Sequence, residues 1–295
     1  MDTEALKLFL HLAQSLHFGK TGQACHISPS ALSRQIQRME SEVGQVLFER
    51  NNRMVRLTPA GALFKRYAQT ALENWRLFLE EMAFDQGALQ GEITIYCSIT
   101  ASLSVLPDLL SRFKTAYPQI KLKIETGDAA GAIQKVAQAE ADIAVAALPH
   151  RLPKTLAFKS LTKVSLVFVA PKQEWEYSKA LERGIPWGKV PMILTERGLA
   201  RKRVDSWFKQ KNVRPNIYAK VSGNEAILSM VGLGCGLGVV PRLAIENSAL
   251  QDRVTVIDVR PRLAPYDVGI CIQKRNLASR LIKLFWDVES LSEAV

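Results

Sequence analysis

The chain has 295 residues, 47% of them hydrophobic and 23% charged, and carries a net charge of +11, enough for a small module plus one or two further domains. No run of about 18 uninterrupted apolar residues occurs, which argues against a membrane-spanning helix, and the opening MDTEALKLFLHLAQ lacks the basic flank and apolar core of a secretory signal, so a cytoplasmic location is expected. Cys25, Cys97, Cys235 and Cys271 are widely spaced, and His11, His17, His26 and His150 fall at no ligand spacing, which argues for free thiols and against a metal or other cofactor.

Residues 3–15 place Leu6, Phe9, Leu10 and Ala13 at helical spacing, predicting a support helix. The stretch HFGKTGQACHISPSALSRQIQRME, which begins at His17, organises the rest of the chain. Within it Ser28 and Pro29 read as a helix start, the hydroxyl capping free amides and the proline tolerated at the first helical position. Leu32, Ile36, Met39 and Val43 then fall on one side of a 3.6-residue helix, and Ser30, Ser33, Arg34 and Gln37 on the other. Upstream, Gly19, Gly22 and Ala24 allow two helices to cross closely, and residues 26–28 leave room only for a tight turn. That is the requirement of a helix-turn-helix. Its polar face would enter a DNA major groove, where Arg reads guanine, Gln reads adenine and Ser can contact either. An ordinary amphipathic helix with a solvated polar face has the same pattern, so both readings stand on periodicity alone. On the first reading the expected DNA contacts of this helix are Ser28, Pro29, Ser30, Ser33, Arg34, Gln37 and Arg38.

Residues 46–57 read as a short hairpin, turning at Asn51 and Asn52, and would form a wing. Arg50, Arg53 and Arg56 on it would lie near the phosphate backbone, adding affinity but little sequence choice. Thr58 and Pro59 start a long helix in which Phe64, Ala68, Ala71, Trp75, Phe78 and Met82 repeat at spacings of four and three, a heptad seam that predicts a dimerisation coiled coil. Packing on a neighbouring domain is the alternative.

Gly87 and Gly91 break that helix and mark a boundary. Beyond it, strands over 93–97, 120–126 and 143–147 alternate with helices over 102–116 and 129–139, and residues 161–170 are strand-like. Residues 186–191 look like a second boundary. A second set comes after them, with strands over 192–194, 217–221 and 236–240, helices over 200–211 and 224–233, a strand over 266–273 and a closing helix over 277–291. Alternation of this kind means helix-covered, largely parallel sheets.

In such lobes ligands gather at the carboxyl ends of strands, beside helix N-termini that attract anions. Ser98, Thr100 and Ala101 follow the first strand of the first half, and Thr195, Arg197 and Gly198 occupy the equivalent place in the second. Facing each other, they suit a small carboxylate; capping of their own helices is the bland alternative for each hydroxyl. The glycine run from Gly232 to Gly238 follows a helix and precedes a strand, the reverse of a dinucleotide fingerprint. No nucleophile elbow, phosphate loop or HExxH occurs.

Charge is uneven. Residues 1–90 hold ten basic against nine acidic side chains, whereas 151–220 hold sixteen against five. The basic block could be a solvated surface, an anionic-ligand environment or a secondary DNA contact.

The first sixty-odd residues resemble the LysR-type transcriptional regulators, through the helix around Phe18, SPSALSRQIQRME, the segment from Leu47 to Arg50 and the end from Leu57 to Gly61. Gly22 and Cys25 depart from the alanine and leucine usual there. The resemblance implies an all-α winged helix-turn-helix domain over 1–58, a linker and dimerisation helix over 59–88, and a two-lobed α/β effector domain over 91–295 similar to type 2 periplasmic-binding proteins, with lobe I about 91–160 and 266–295 and lobe II about 161–265. It also implies effector contacts from Asp128, Leu148 and Asn224, although Asp128 could instead cap the helix after it. HLAQSLHFGK, TGDAA and SGNEAILSMVGLGCG are similar to a branch of the family tied to branched-chain amino-acid biosynthesis, which implies an activator induced by an acetohydroxy acid. The expected partners are operator DNA, a small anionic metabolite and a further copy of the chain in a homodimer or homotetramer, with RNA polymerase a further candidate. Two other readings remain open on sequence: an enzyme acting on a small carboxylate with an accessory DNA-binding module, and an architectural DNA-binding protein with no effector.

Overall fold

The computed structural model describes residues 2–51, 54–85, 90–179 and 184–289. The chain divides into two compact units, Met1–Ala88 and Leu89–Val295.

In the first unit, α1 (Thr3–Ser15) is capped by Asp2, which accepts from Ala5 N at 2.8 Å, and α2 (Phe18–Ala24) is capped by His17. Helix α3 (Pro29–Val43) starts as its Ser-Pro pair predicts, with Ser28 Oγ accepting from Ala31 N at 3.1 Å, and ends at Gly44 in the left-handed region. The turn between α2 and α3 is tight because Gly22 has no side chain: a Cβ there would come within 2.7 Å of Ile27 O. Strands β1 (Phe48–Asn51) and β2 (Met54–Leu57) form the antiparallel hairpin. Its turn, with Asn52 and Arg53, lies outside the described residues. Helix α4 (Pro59–Asp85) comes next; at 27 residues it is about 40 Å long.

The core of this unit joins Phe9, Leu12, Leu32, Ile36, Met39, Leu47, Phe48, Phe64 and Ala68. Phe9 meets Phe64 edge-on at 4.6 Å and Phe48 at 5.2 Å, geometries worth about 0.5–1.5 kcal/mol each beyond burial. The expected seam on α4 is only partly free. Phe64 and Ala68 are buried within their own unit, and Ala71 packs beside them. In the later part of α4, Trp75, Phe78, Leu79 and Met82 are exposed, as are Leu63 and Tyr67 nearer its start.

The second unit holds two five-stranded sheets. Lobe I has the order β4-β3-β5-β12-β6, with β3 (Gly91–Cys97), β4 (Ile120–Thr126), β5 (Ile143–Ala147), β6 (Leu156–Val164) and β12 (Tyr266–Gln273). Lobe II has the order β11-β7-β10-β8-β9, with β7 (Leu166–Pro171), β8 (Pro191–Thr195), β9 (Asn216–Val221), β10 (Leu237–Pro241) and β11 (Val254–Ile257). Each sheet is mixed: β3, β4 and β5 are parallel, whereas β12 runs antiparallel to β5 and β6. The chain crosses between lobes at Ser165 and again between β11 and β12.

Several expected elements differ. The helix expected over 102–116 is two, α5 (Ile99–Ser104) and α6 (Leu106–Ala116); α6 buries Leu106, Leu109 and Phe113, and Leu103 on α5 is exposed. The one expected over 129–139 begins as a 3-10 turn and continues as α7 (Ala132–Ala137). The strand-like run 161–170 splits between lobes at Ser165, so lobe II begins at β7; residues 186–191 lie inside lobe II and are no boundary. Beyond β8 come α8 (Leu199–Gln210), α9 (Asn224–Gly232) and α10 (Arg242–Glu246), the last absent from the sequence reading, as is β11. The closing helix is α11 (Arg280–Trp286), shorter than expected and preceded by a 3-10 turn; residues 290 and 291 lie outside the described residues. No described helix is long and apolar enough to cross a membrane.

Candidate functional site: an exposed helix face and a cleft between lobes

On α3, Leu32, Ile36 and Met39 are buried, whereas Ser30, Arg34, Gln37 and Arg38 are exposed and Ser33 is half-buried. Val43, expected on the apolar side, is exposed at the helix end. Arg34 and Gln37 make no hydrogen bond to described residues, and Pro29 is exposed at the first helical position. Ser30 Oγ lies 3.0 Å from Ser28 Oγ. Arg38 pairs with Glu42 at 3.3 Å.

The wing is tied to α3 by a residue that sequence reasoning missed. Glu40 Oε1 accepts from Leu47 N and Phe48 N at 2.9 and 3.1 Å, and its Oε2 takes Arg50 Nη2 at 2.8 Å. Arg50 also donates to Ser33 Oγ at 3.1 Å and lies 5.1 Å over the Phe18 ring, so its guanidinium locks wing and helix together. Arg56 pairs with Glu49 at 2.6 Å. Arg53 lies outside the described residues. A periodic reading could not have found Glu40, whose partners are seven or more residues away.

In the second unit a cleft of about 640 Å³ opens between the lobes. From lobe I it receives Ser98 and Thr100, then Gly127 and Asp128 after β4, and Ala147, Pro149 and His150 at the end of β5 and beyond it. Lobe II contributes Thr195, Arg197, Gly198, Lys202, Asn224 and Glu225. Behind it lies an inner pocket of about 60 Å³ bounded by Ala101, Val145, Val164, Tyr266 and Val268. Ala101, expected in the cleft, lines only this inner pocket. Leu148 lines neither; its N–H is committed to Asp267 O at 2.8 Å, and its neighbours face the cleft instead.

Where lobe I lines the cleft, side chains cap the first turns: Ser98 Oγ accepts from Ala101 N at 3.2 Å, and Asp128 Oδ1 from Ala130 N at 2.9 Å. In lobe II they do not. Helices α8 and α9 begin after Gly198 and Gly223, at φ of 97° and 94°, with no side-chain cap. First-turn amides there are left to the cleft, where the helix dipole favours an anion. Gly198 also sits so close to lobe I that a Cβ would lie 3.1 Å from Ala130 Cβ.

Four residues singled out in the sequence take part in bonds across the cleft. Thr100 Oγ1 donates to Glu225 Oε1 and accepts from Asn224 Nδ2, both at 2.8 Å, and Arg197 Nε donates to Asp128 Oδ2 at 2.7 Å. Asp128 therefore both caps its helix start and reaches lobe II. The hydrogen bond to Asp128 holds the already basic Arg197 further above its ordinary value. Thr195 Oγ1 donates to Arg197 O at 3.3 Å. The sequence reading passes over Glu225, Lys202, His150 and Tyr266. Burial pushes the Tyr266 phenol up to about 12, so it is a neutral donor in the inner pocket. Part of the basic block thus faces the cleft through Arg197 and Lys202.

All four cysteines are free thiols, and no cluster of metal-ligating residues occurs among the described residues. Burial raises Cys97 to about 11 and Cys271 to about 12, and a protonated thiol is a poor nucleophile. Native protein treated with iodoacetamide at pH 8 is expected to be alkylated at Cys25 and Cys235 only, both half-buried; peptide mapping that found Cys97 modified as fast would contradict this burial.

Residues 3–62 match the model of bacterial regulatory helix-turn-helix proteins of the lysR family, and residues 86–289 match the LysR substrate binding domain. The chain is a LysR-type transcriptional regulator. The regulator is 41% identical over 292 residues to the HTH-type transcriptional activator IlvY of Salmonella typhimurium, covering 98% of this chain and 99% of that one. Its fold matches full-length CbnR, a LysR family transcriptional regulator, with a TM-score of 0.68 at 19% identity over 99% of both chains, and CbnR complexed with its target DNA with a TM-score of 0.65. The effector binding domain of QuiR in complex with shikimate matches 68% of the regulator, and 95% of that chain, at 21% identity and a TM-score of 0.58. The regulator is therefore a DNA-binding transcription factor of IlvY type and not an enzyme, which removes the reading of a catalytic domain with an accessory DNA module.

Proposed function

We propose that this regulator activates transcription in response to a small hydroxylated carboxylate of the acetohydroxy acid class, as in branched-chain amino-acid biosynthesis. The observation that carries the reading is the cleft, where uncapped helix starts of α8 and α9 meet Thr100, Lys202 and Arg197: amides and cations for a carboxylate, and hydroxyl and amide groups for an adjacent hydroxyl. The 41% identity to the activator IlvY, and a structural relative whose effector domain holds shikimate, itself a hydroxylated carboxylate, favour the same chemistry.

DNA is read by the exposed face of α3, with Arg34 and Gln37 at base edges, Ser30 and Ser33 beside them, Ser28 and Pro29 at the helix start, and Arg38, Arg53 and Arg56 at phosphates. Arg50 contributes by holding the wing in register. A second copy of the chain covers Trp75, Phe78, Leu79 and Met82, which recur at i, i+3, i+4 and i+7 on α4 and so share one face; two-fold pairing would present two helix-turn-helix units to two half-sites. An effector that binds one arrangement of the lobes better than another shifts the population toward it by that difference in affinity.

Calorimetry with 2-acetolactate and 2-aceto-2-hydroxybutyrate is expected to show saturable binding, and Lys202→Ala, which removes one charge-assisted contact, to weaken it about tenfold or more. Absence of heat with every acetohydroxy acid would overturn the effector assignment and leave an operator-binding protein without this ligand class.

A further inference from the structure

The residues best placed to hold an anion are already occupied by the protein itself. Thr100 is 8% exposed, and its single hydroxyl proton goes to Glu225 Oε1 while its lone pair takes Asn224 Nδ2. Glu225 is half-buried, forms no salt bridge with a described residue, and stands in the first turn of α9, where the start of the helix carries partial positive charge. Its carboxylate therefore sits in lobe II and takes, from lobe I, the donor that a ligand carboxylate would seek. Beside it, Arg197 is spanned by Asp128 in the same crosswise fashion.

We propose that Glu225 is a built-in occupant of the anion position: an inter-lobe latch that holds Thr100 in the unliganded protein and that an anionic effector has to displace. The latch rests on the acetohydroxy acid reading and adds a residue that sets the concentration at which the regulator responds. Two carboxylates sharing one donor and one helix start repel each other, so ligand binding includes the work of moving Glu225 aside. Neutralising the side chain without changing its shape removes that repulsion, whereas deleting it also removes the bridge. Glu225 is thus a positioning and affinity-setting group, distinct from Lys202, which attracts the ligand. Binding is coupled to lobe geometry because the displaced bond is one that joins the lobes, and a ligand moves such an equilibrium only by its preference for one arrangement.

Two measurements on the full chain test it. In the first, 2-acetolactate and 2-hydroxyisovalerate are titrated into wild-type protein and Glu225→Gln by calorimetry; Glu225→Gln is expected to bind about tenfold more tightly, and equal or weaker binding overturns the competitor role. The second needs no ligand: spin labels on cysteines introduced at the exposed positions Lys114 and Lys209, with Cys25 and Cys235 changed to serine, report the distance between lobes. Glu225→Ala is expected to broaden or shift that distribution relative to wild type, with Glu225→Gln in between, and superimposable distributions overturn the latch. If no variant binds either acid while Glu225→Ala still frees the lobes, the latch stands and the effector assignment falls.

Discussion

Arg34→Ala is expected to lose about 1–3 kcal/mol of base discrimination, roughly 5- to 150-fold in the ratio of operator to random-duplex affinity. The expectation comes from placement: Arg34 is exposed on the face of α3 opposite the buried Leu32, Ile36 and Met39, and no described side chain engages it. A guanidinium in that position has two donors free for the O6 and N7 of guanine, and alanine offers none. Arg56→Ala provides the contrast. Arg56 stands on β2, paired with Glu49, and a phosphate contact there would add affinity without sequence preference, so its loss should weaken operator and random DNA alike and reduce the salt slope by about 1. Fluorescence anisotropy against both duplexes at several salt concentrations separates the two. Identical behaviour of the two variants would remove α3 from the reading of bases.

Gly61→Ala is expected to destabilise the first unit by about 1–3 kcal/mol, the reverse of the usual gain of about 1 kcal/mol for this change inside a helix. A Cβ at Gly61 would overlap Leu47 O and lie 2.9 Å from Leu57 Cδ2. The carbonyl has no freedom to retreat, since it accepts from Thr58 N at 3.0 Å and Thr58 Oγ1 at 3.3 Å. The same substitution at Gly131, where nothing lies within 4 Å and φ is −88°, should cost little. Urea unfolding of both variants measures this, and a Gly61→Ala protein as stable as wild type would mean that the junction between wing and α4 is looser than described. Because that junction holds the wing, operator affinity should fall with stability.

How much of the fold is legible in the sequence depends on the range of the interactions involved. The start of α3 is legible because Ser28 caps an amide three residues away and the apolar face repeats every turn. Strands β4 and β5 can be placed to the residue, β4 because its apolar and polar residues alternate and β5 because it is a short apolar run. The break at Val105 cannot: 102–116 reads as one periodic helix, and the face that is buried, Leu106, Leu109 and Phe113, is chosen by packing against β-sheet residues and Phe285. Likewise the α4 seam has one uniform spacing, yet Phe64 meets Phe9 while Trp75 and Met82 stay exposed; periodicity shows a face and not its partner. In the cleft, Thr100 and Arg197 are legible from their places after strands, and Asp128 and Asn224 only through the family resemblance, but Thr100 meets Glu225 across 125 positions of sequence, a separation at which no local pattern reports. Leu148 fails for a related reason, since its amide is consumed by the neighbouring strand segment at Asp267.

Occupation of the cleft by an acetohydroxy acid should alter how the helix-turn-helix units engage DNA. The most direct test is the bend of a fluorophore-labelled operator, followed by energy transfer in the bound complex while freshly prepared 2-acetolactate is added. A saturable change in transfer, with a midpoint equal to the calorimetric affinity and shifted to higher concentration by Lys202→Ala, is the predicted result. Transfer and operator affinity that stay constant while calorimetry shows the cleft filling would contradict it.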